Sequence, residues 1–104
     1  MIVVQVMDDD DLELVQSGCR FAEELGGEIV LVYVIDGPWR PRWNAALRQA
    51  RRTASHALAA ARQAAVRCGR PVRIVIWRDR VMLQGIAAAA GRYRAHLILS
   101  RATS

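Results

Sequence analysis

Apolar residues along this chain gather into short runs separated by stretches of helical periodicity, and that alternation predicts most of its elements. Residues 1 to 6, carrying Ile2-Val3-Val4-Gln5-Val6, form an apolar strand, and Glu28 to Ile35 (EIVLVYVI) forms a second, nearly continuous and rich in β-branched side chains. Continuous runs of this kind belong to strands covered on both faces. Between them Leu12, Val15, Cys19, Ala22 and Leu25 recur at helical spacing, and Gly26-Gly27 supplies the stop. A strand, a helix and a strand in this order imply parallel strands joined by a right-handed crossover.

Asp36-Gly37-Pro38-Trp39-Arg40-Pro41 is punctuated too closely by glycine and proline for a helix or strand, so it predicts a loop. A long helix follows from about Trp43 to Cys68, with Trp43, Leu47, Ala50, Ala54, Leu58, Ala61, Ala65 and Cys68 in line. Arg48, Arg51, Arg52, Arg62 and Arg67 lie mostly off that line, and Gly69 and Pro71 end the helix. At a rise of about 1.5 Å per residue it would extend about 40 Å, so its first turns should project past a small sheet. Pro71 to Trp77 alternates, with Val72, Ile74 and Ile76 on one face and Arg73, Val75 and Trp77 on the other, as a half-exposed edge strand does. Asp79 stands as the expected N-cap of a third helix, Arg80 to about Arg92, and Leu97-Ile98-Leu99 is a short fourth strand. The order β-α-β-α-β-α-β makes this an α/β chain without internal repeats.

At 104 residues the expectation is one domain spanning 1–104. A hydrophobic share of 53% marks a globular rather than a disordered chain. The longest apolar run, Ile29 to Ile35, is far too short for a membrane span, so no membrane association is expected. No charged segment precedes the first strand as it would in a secretory signal, which predicts the cytoplasm. Cys19 and Cys68 fall in helical patterns without metal-ligand spacing and read as buried reduced thiols. The net charge is +5 and all 15 basic residues are arginine, which permits an acidic partner without demonstrating one.

Several pieces, in their order and spacing, resemble the universal stress protein family. They are Val4-Gln5-Val6-Met7-Asp8, Ala22-Glu23-Glu24-Leu25-Gly26-Gly27, Ile29-Val30-Leu31-Val32-Tyr33-Val34, Ile86-Ala87-Ala88-Ala89-Ala90, and Ala95-His96-Leu97-Ile98-Leu99-Ser100-Arg101. The resemblance implies a doubly wound, nucleotide-binding-like parallel sheet of order 3-2-1-4-5, with a ligand site at the carboxyl ends of strands one and four. It further implies that Asp8 stands at the position that contacts the nucleoside in ATP-binding members, and that Val34 lies near the adenine-contacting position. The family's glycine-rich phosphate loop, last helix and fifth strand have no counterpart before Ser104, so the expected order here is 3-2-1-4 with about four strands and three helices.

Without that loop no run of backbone amides is expected to cradle a triphosphate, and no cofactor is expected, ATP or AMP being the minor alternative. Asp9, Asp10 and Asp11 read as helix-capping carboxylates favoured by the helix dipole and repelling phosphate. A divalent cation there is the weaker reading, and no metal site is assigned. Arg78 and Arg80 should lie at the same end of the sheet, either bridging to the acidic block or recognising an anionic ligand. Trp39, Arg40, Arg42, Trp43, Arg48, Arg51 and Arg52 combine cations with rings as single-strand surfaces do, but no nucleic-acid module accompanies them. A solvated helix face or a patch for an acidic protein partner is the reading preferred over nucleic acid. His56 with Ser55, and His96 with Ser100, lack a carboxylate nearby in sequence, so no catalytic residue is named. An uncovered fourth strand predicts a homodimer or higher assembly. The functional expectation is a small non-enzymatic stress-response module acting through self-association and partners, with a nucleotide or small-ligand sensor using Asp8, Val34 and Arg78 as the alternative.

Overall fold

The computed structural model describes residues 1–8, 10–37 and 44–101. Its elements are β1 (Ile2–Gln5), α1 (Leu12–Leu25), β2 (Ile29–Asp36), α2 (Asn44–Val66), β3 (Val72–Asp79), α3 (Met82–Arg92) and β4 (Leu97–Leu99). The strands form one sheet in the order β3-β2-β1-β4, every pair parallel. That is the expected α/β arrangement of three helices and four strands. In β1, Ile2 lies opposite Ile29 on one side and Leu97 on the other. The two central strands are therefore the most apolar part of the chain.

Side chains alternate across β1 and β2 and feed two separate cores. Ile2, Val4, Val6, Ile29 and Leu31 meet Val15, Cys19 and Ala22 of α1 and Ala57, Leu58, Ala61 and Ala65 of α2. Val3, Val30, Val32 and Val34 point the other way, against Ile86 and Ala89 of α3. Each face also has one helix drawn in by a glycine. A Cβ at Gly18 of α1 would come within 2.7 Å of Val4 Cγ2, and one at Gly85 of α3 within 2.7 Å of Val34 Cγ1. Any side chain at either place would push its helix off the sheet.

The edge strands are less well covered. On β3 the expected alternation holds: Val72 joins the first core, Val75 and Trp77 the second, and Ile74 and Ile76 remain substantially exposed. On β4, Ile98 is 44% exposed, and among the described residues the strand pairs with β1 alone. The α2 line is buried from Ala54 to Ala65, whereas Leu47 and Ala50 are only half-buried, as its first turns would be if they project past the sheet; Cys68, expected to be buried within the helix, is half-buried beyond its last residue, Val66. The described residues extend 45 Å along their longest axis.

Gly26 ends α1 in the left-handed region at φ 70°, its N–H donating to the Ala22 carbonyl. Two boundary expectations need correction. The third helix begins at Met82, not Arg80, and Val81 is its N-cap in extended conformation without a side-chain bond. Asp79 belongs to β3 instead, and its carboxylate accepts from the N–H groups of Arg80 (2.7 Å) and Val81 (3.4 Å). It turns the chain before the helix rather than capping it, as aspartate does in local turns. The predicted loop residues Pro38 to Trp43 lie outside the described residues, as does Asp9.

Candidate functional site: the crevice between β1 and β4

In a parallel sheet, neighbouring strands whose crossovers leave in opposite directions open a crevice at their carboxyl ends. Here those strands are β1 and β4, since β2 lies on one side of β1 and β4 on the other. Three chain segments meet at the crevice: the turn after β1, the start of α1, and the residues just past β4.

Asp11 organises the turn. It holds the N-cap position of α1, and its carbonyl accepts the first helical bond from Val15. Its side chain makes no capping bond; it folds back instead, and Oδ2 accepts from the N–H groups of Met7 (2.7 Å) and Asp8 (3.1 Å). The expectation of a helix-capping carboxylate is thus right for the position and wrong for the bond. Asp8 adds a tighter loop of its own, Oδ1 accepting from the Asp10 N–H at 2.8 Å. Carboxylates of the turn therefore occupy three backbone donors of the kind that would otherwise face an anion.

Arg101 closes the site from the other strand. Its Nε donates to Asp11 Oδ1 at 2.9 Å, and its Nη2 lies 2.7 Å from Asp8 Oδ2. The Asp11 carboxylate is buried, its side chain 6% exposed, while Asp8 and Arg101 are roughly half-exposed. The planar guanidinium presents two donors to two different acids, a geometry that lysine cannot supply. The Arg101 bond, followed by the bond from Asp10, holds the Asp8 carboxyl below its ordinary range. Asp8 and then Asp11 raise Arg101 in turn. Beside Asp11 and Arg101 lies an open recess of about 400 Å³, lined by these two with Asp10, Glu13, Leu14, Ser17 and Ser100.

Of the sequence-derived candidates, Asp8 sits in this crevice. Val34 is buried in β2 on the α3 side, its side chain against Gly85. Arg78 lies in β3, opposite Ile35, with β2 between its strand and β1. The structure does not gather these three into one cluster. Sequence pattern assigns Arg101 no role, although a cation two residues past a strand expected to neighbour the acidic turn is the available signal. Of the aromatic and basic group, Arg48, Arg51 and Arg52 are exposed on α2, while Trp39, Arg40, Arg42 and Trp43 lie outside the described residues. His96 Nδ1 is 2.9 Å from the terminal amine of Met1, at the end of β4 opposite Ser100. No helix among the described residues is long and apolar enough to cross a membrane.

Residues 1–102 match the model of the universal stress protein family. A solved universal stress protein from Burkholderia pseudomallei is similar in structure, with a TM-score of 0.79 at 18% identity over 97% of this chain and 80% of that one. A universal stress protein solved in complex with cAMP gives 0.75 at 15% identity, covering 94% of this chain and 73% of its own. One from Archaeoglobus fulgidus in complex with dAMP gives 0.67 at 22% identity, covering 95% and 78%. No curated protein matches significantly. At these identities the solved structures establish the shared fold.

Proposed function

The chain belongs to the universal stress protein family, and on that footing we propose that it is a small non-enzymatic module working through association, without family-type binding of ATP. The observation that carries this reading is the Asp8–Arg101–Asp11 clasp. Three turn amides, those of Met7, Asp8 and Asp10, are taken up by the protein's own carboxylates, and Arg101 is held by two acids. A triphosphate would have to displace both sets of bonds and then face Asp10 and Glu13. Self-association rests on the edge of β4, where Ile98 is exposed and, among the described residues, no strand pairs with the outer side, so a second copy could add to it. A partner other than itself would be acidic, because α2 carries Arg48, Arg51, Arg52 and Arg62 and no acidic residue. Its proposed place of action is the cytoplasm.

Titration calorimetry with ATP, with and without Mg²⁺, should show no saturable heat. Light scattering at micromolar concentration should give at least a dimer, reduced toward monomer by Ile98→Arg. Saturable ATP binding, or a stable monomer, would overturn the reading. A second reading, a nucleotide or small-ligand sensor, is favoured by the open recess beside Arg101 and by the cAMP and dAMP complexes of similar structures. In it a monophosphate takes Arg101, and Asp8, released from that bond, holds the nucleoside. Saturable AMP or cyclic AMP binding that Asp8→Ala abolishes would put the sensor in first place.

A further inference from the structure

Cys19 and Cys68 are far apart in sequence, on α1 and just past the end of α2, yet both thiols lie on one oxygen. Cys68 Sγ is 2.9 Å and Cys19 Sγ 3.9 Å from the carbonyl oxygen of Ala65. The two sulfurs are therefore separated by no more than the sum of those distances. Cys19 is 8% exposed within the first core, and Cys68 is half-buried at its margin. Between α1 and the end of α2 a recess of about 290 Å³ opens onto both, lined also by Gln16, Glu23 and Arg67. Cys68 stands beyond the last residue of α2 and just before Gly69, which takes φ 73°. Its side chain can turn toward Cys19 without breaking a residue out of the helix.

We propose that Cys19 and Cys68 form an oxidisable dithiol site whose substrate is a low-molecular-weight disulfide and whose product is an intramolecular bond tying α1 to the end of α2. The exchange proceeds in two displacements. The Cys68 thiolate, the more accessible of the two, attacks one sulfur of the small disulfide; that S–S bond breaks, and one small thiol leaves with the Cys68 proton. Cys19 then attacks Cys68 Sγ, breaks the mixed disulfide and releases the second small thiol, which takes the Cys19 proton. The protein loses two electrons and two protons, and the small disulfide gains both.

The order of attack follows from the surroundings. Burial first, then the neighbouring Cys68 thiol and the Glu23 carboxylate, push the Cys19 thiol up to about 12. Arg67 lines the recess, and Arg70 donates to the Glu23 carbonyl at 3.3 Å. Cys19 is thus a poor first nucleophile and serves as the group that resolves the mixed disulfide.

The test treats the full chain with oxidised glutathione under native conditions, blocks remaining thiols with an alkylating reagent, and reads intact mass and peptide map. The expected product is a chain of single-chain mass, not covalently joined to another, lighter by two hydrogens and unalkylated, with Cys19 and Cys68 peptides joined and dithiothreitol restoring both thiols. Cys19→Ser should stall as a glutathione adduct on Cys68, and Cys68→Ser should leave Cys19 unreacted. A stable adduct on Cys68 in the unaltered chain, a disulfide between two chains, or two thiols still free to alkylate after treatment would each overturn the proposal. The unaltered chain alone decides it, whether or not either variant folds. Neither nucleotide binding nor assembly enters the readout.

Discussion

The turns that lead from β1 into α1 and from β3 into α3 both place aspartate at the carboxyl end of a parallel strand, yet they use it differently. Asp79 bonds only to the next two backbone N–H groups, so its role is local. Asp11 satisfies two N–H groups behind it and a guanidinium 90 residues away in sequence, so its role is tertiary. Position in the sheet accounts for the difference. β1 has a neighbour, β4, whose end delivers Arg101 into the crevice, whereas β3 is an edge strand. Two aspartates at like ends of parallel strands thereby become a structural keystone and a simple bend.

Replacing the two aspartates separately measures that contrast. Asp11→Ala should cost about 2–4 kcal/mol in urea unfolding, because two backbone donors and a cation lose a buried acceptor. A cost equal to that of Asp79→Ala would mean the two turns are equivalent. Arg101→Ala should lower the melting temperature by an intermediate amount, since Asp11 keeps its amide bonds but loses its counter-charge.

The acid limb provides the next test. Asp8 has its folded value depressed below the ordinary 3.8. Its contribution is therefore complete above the ordinary value and is lost as pH falls through the lower folded one. The stability difference between the unaltered chain and Asp8→Asn should stay constant from neutral pH to about pH 4 and vanish in stronger acid. Arg101→Ala should remove most of that dependence. The smallest effect belongs to Asp79→Ala, under about 1 kcal/mol by urea unfolding, because two local bonds in a solvated turn are readily replaced by water.

Sequence periodicity carried most of the architecture. The apolar runs at Ile2–Val6 and Ile29–Ile35 read as doubly covered strands, and the glycines at 26 and 69 mark helix ends where local conformation alone demands them. The order of the strands came from the family resemblance, and the sheet has it. Boundaries that depend on side-chain competition were less legible. At Asp79 the carboxylate can cap a helix or close a bend, and nothing local decides between them. The site was harder still, because its defining contacts, Arg101 with Asp8 and Asp11, join residues about ninety positions apart. Pattern reading within a window cannot pair them; it can only say that β4 ends beside β1. The meeting of Cys19 and Cys68 was hidden for the same reason, since it depends on how α2 lies across α1.

The register that sets Val4 against Leu99 as well as Leu31 also predicts an order of events during folding. β1, β2 and β3 can assemble from chain already present, but β4 must close the longest loop in the molecule, and loop closure is what slows such pairings. Until it arrives, the acidic turn after β1 carries its repulsion uncompensated, so docking of the last strand and neutralisation of that turn are one late step. Leu99→Ala should accordingly quicken unfolding in stopped-flow measurements while leaving the folding rate nearly unchanged.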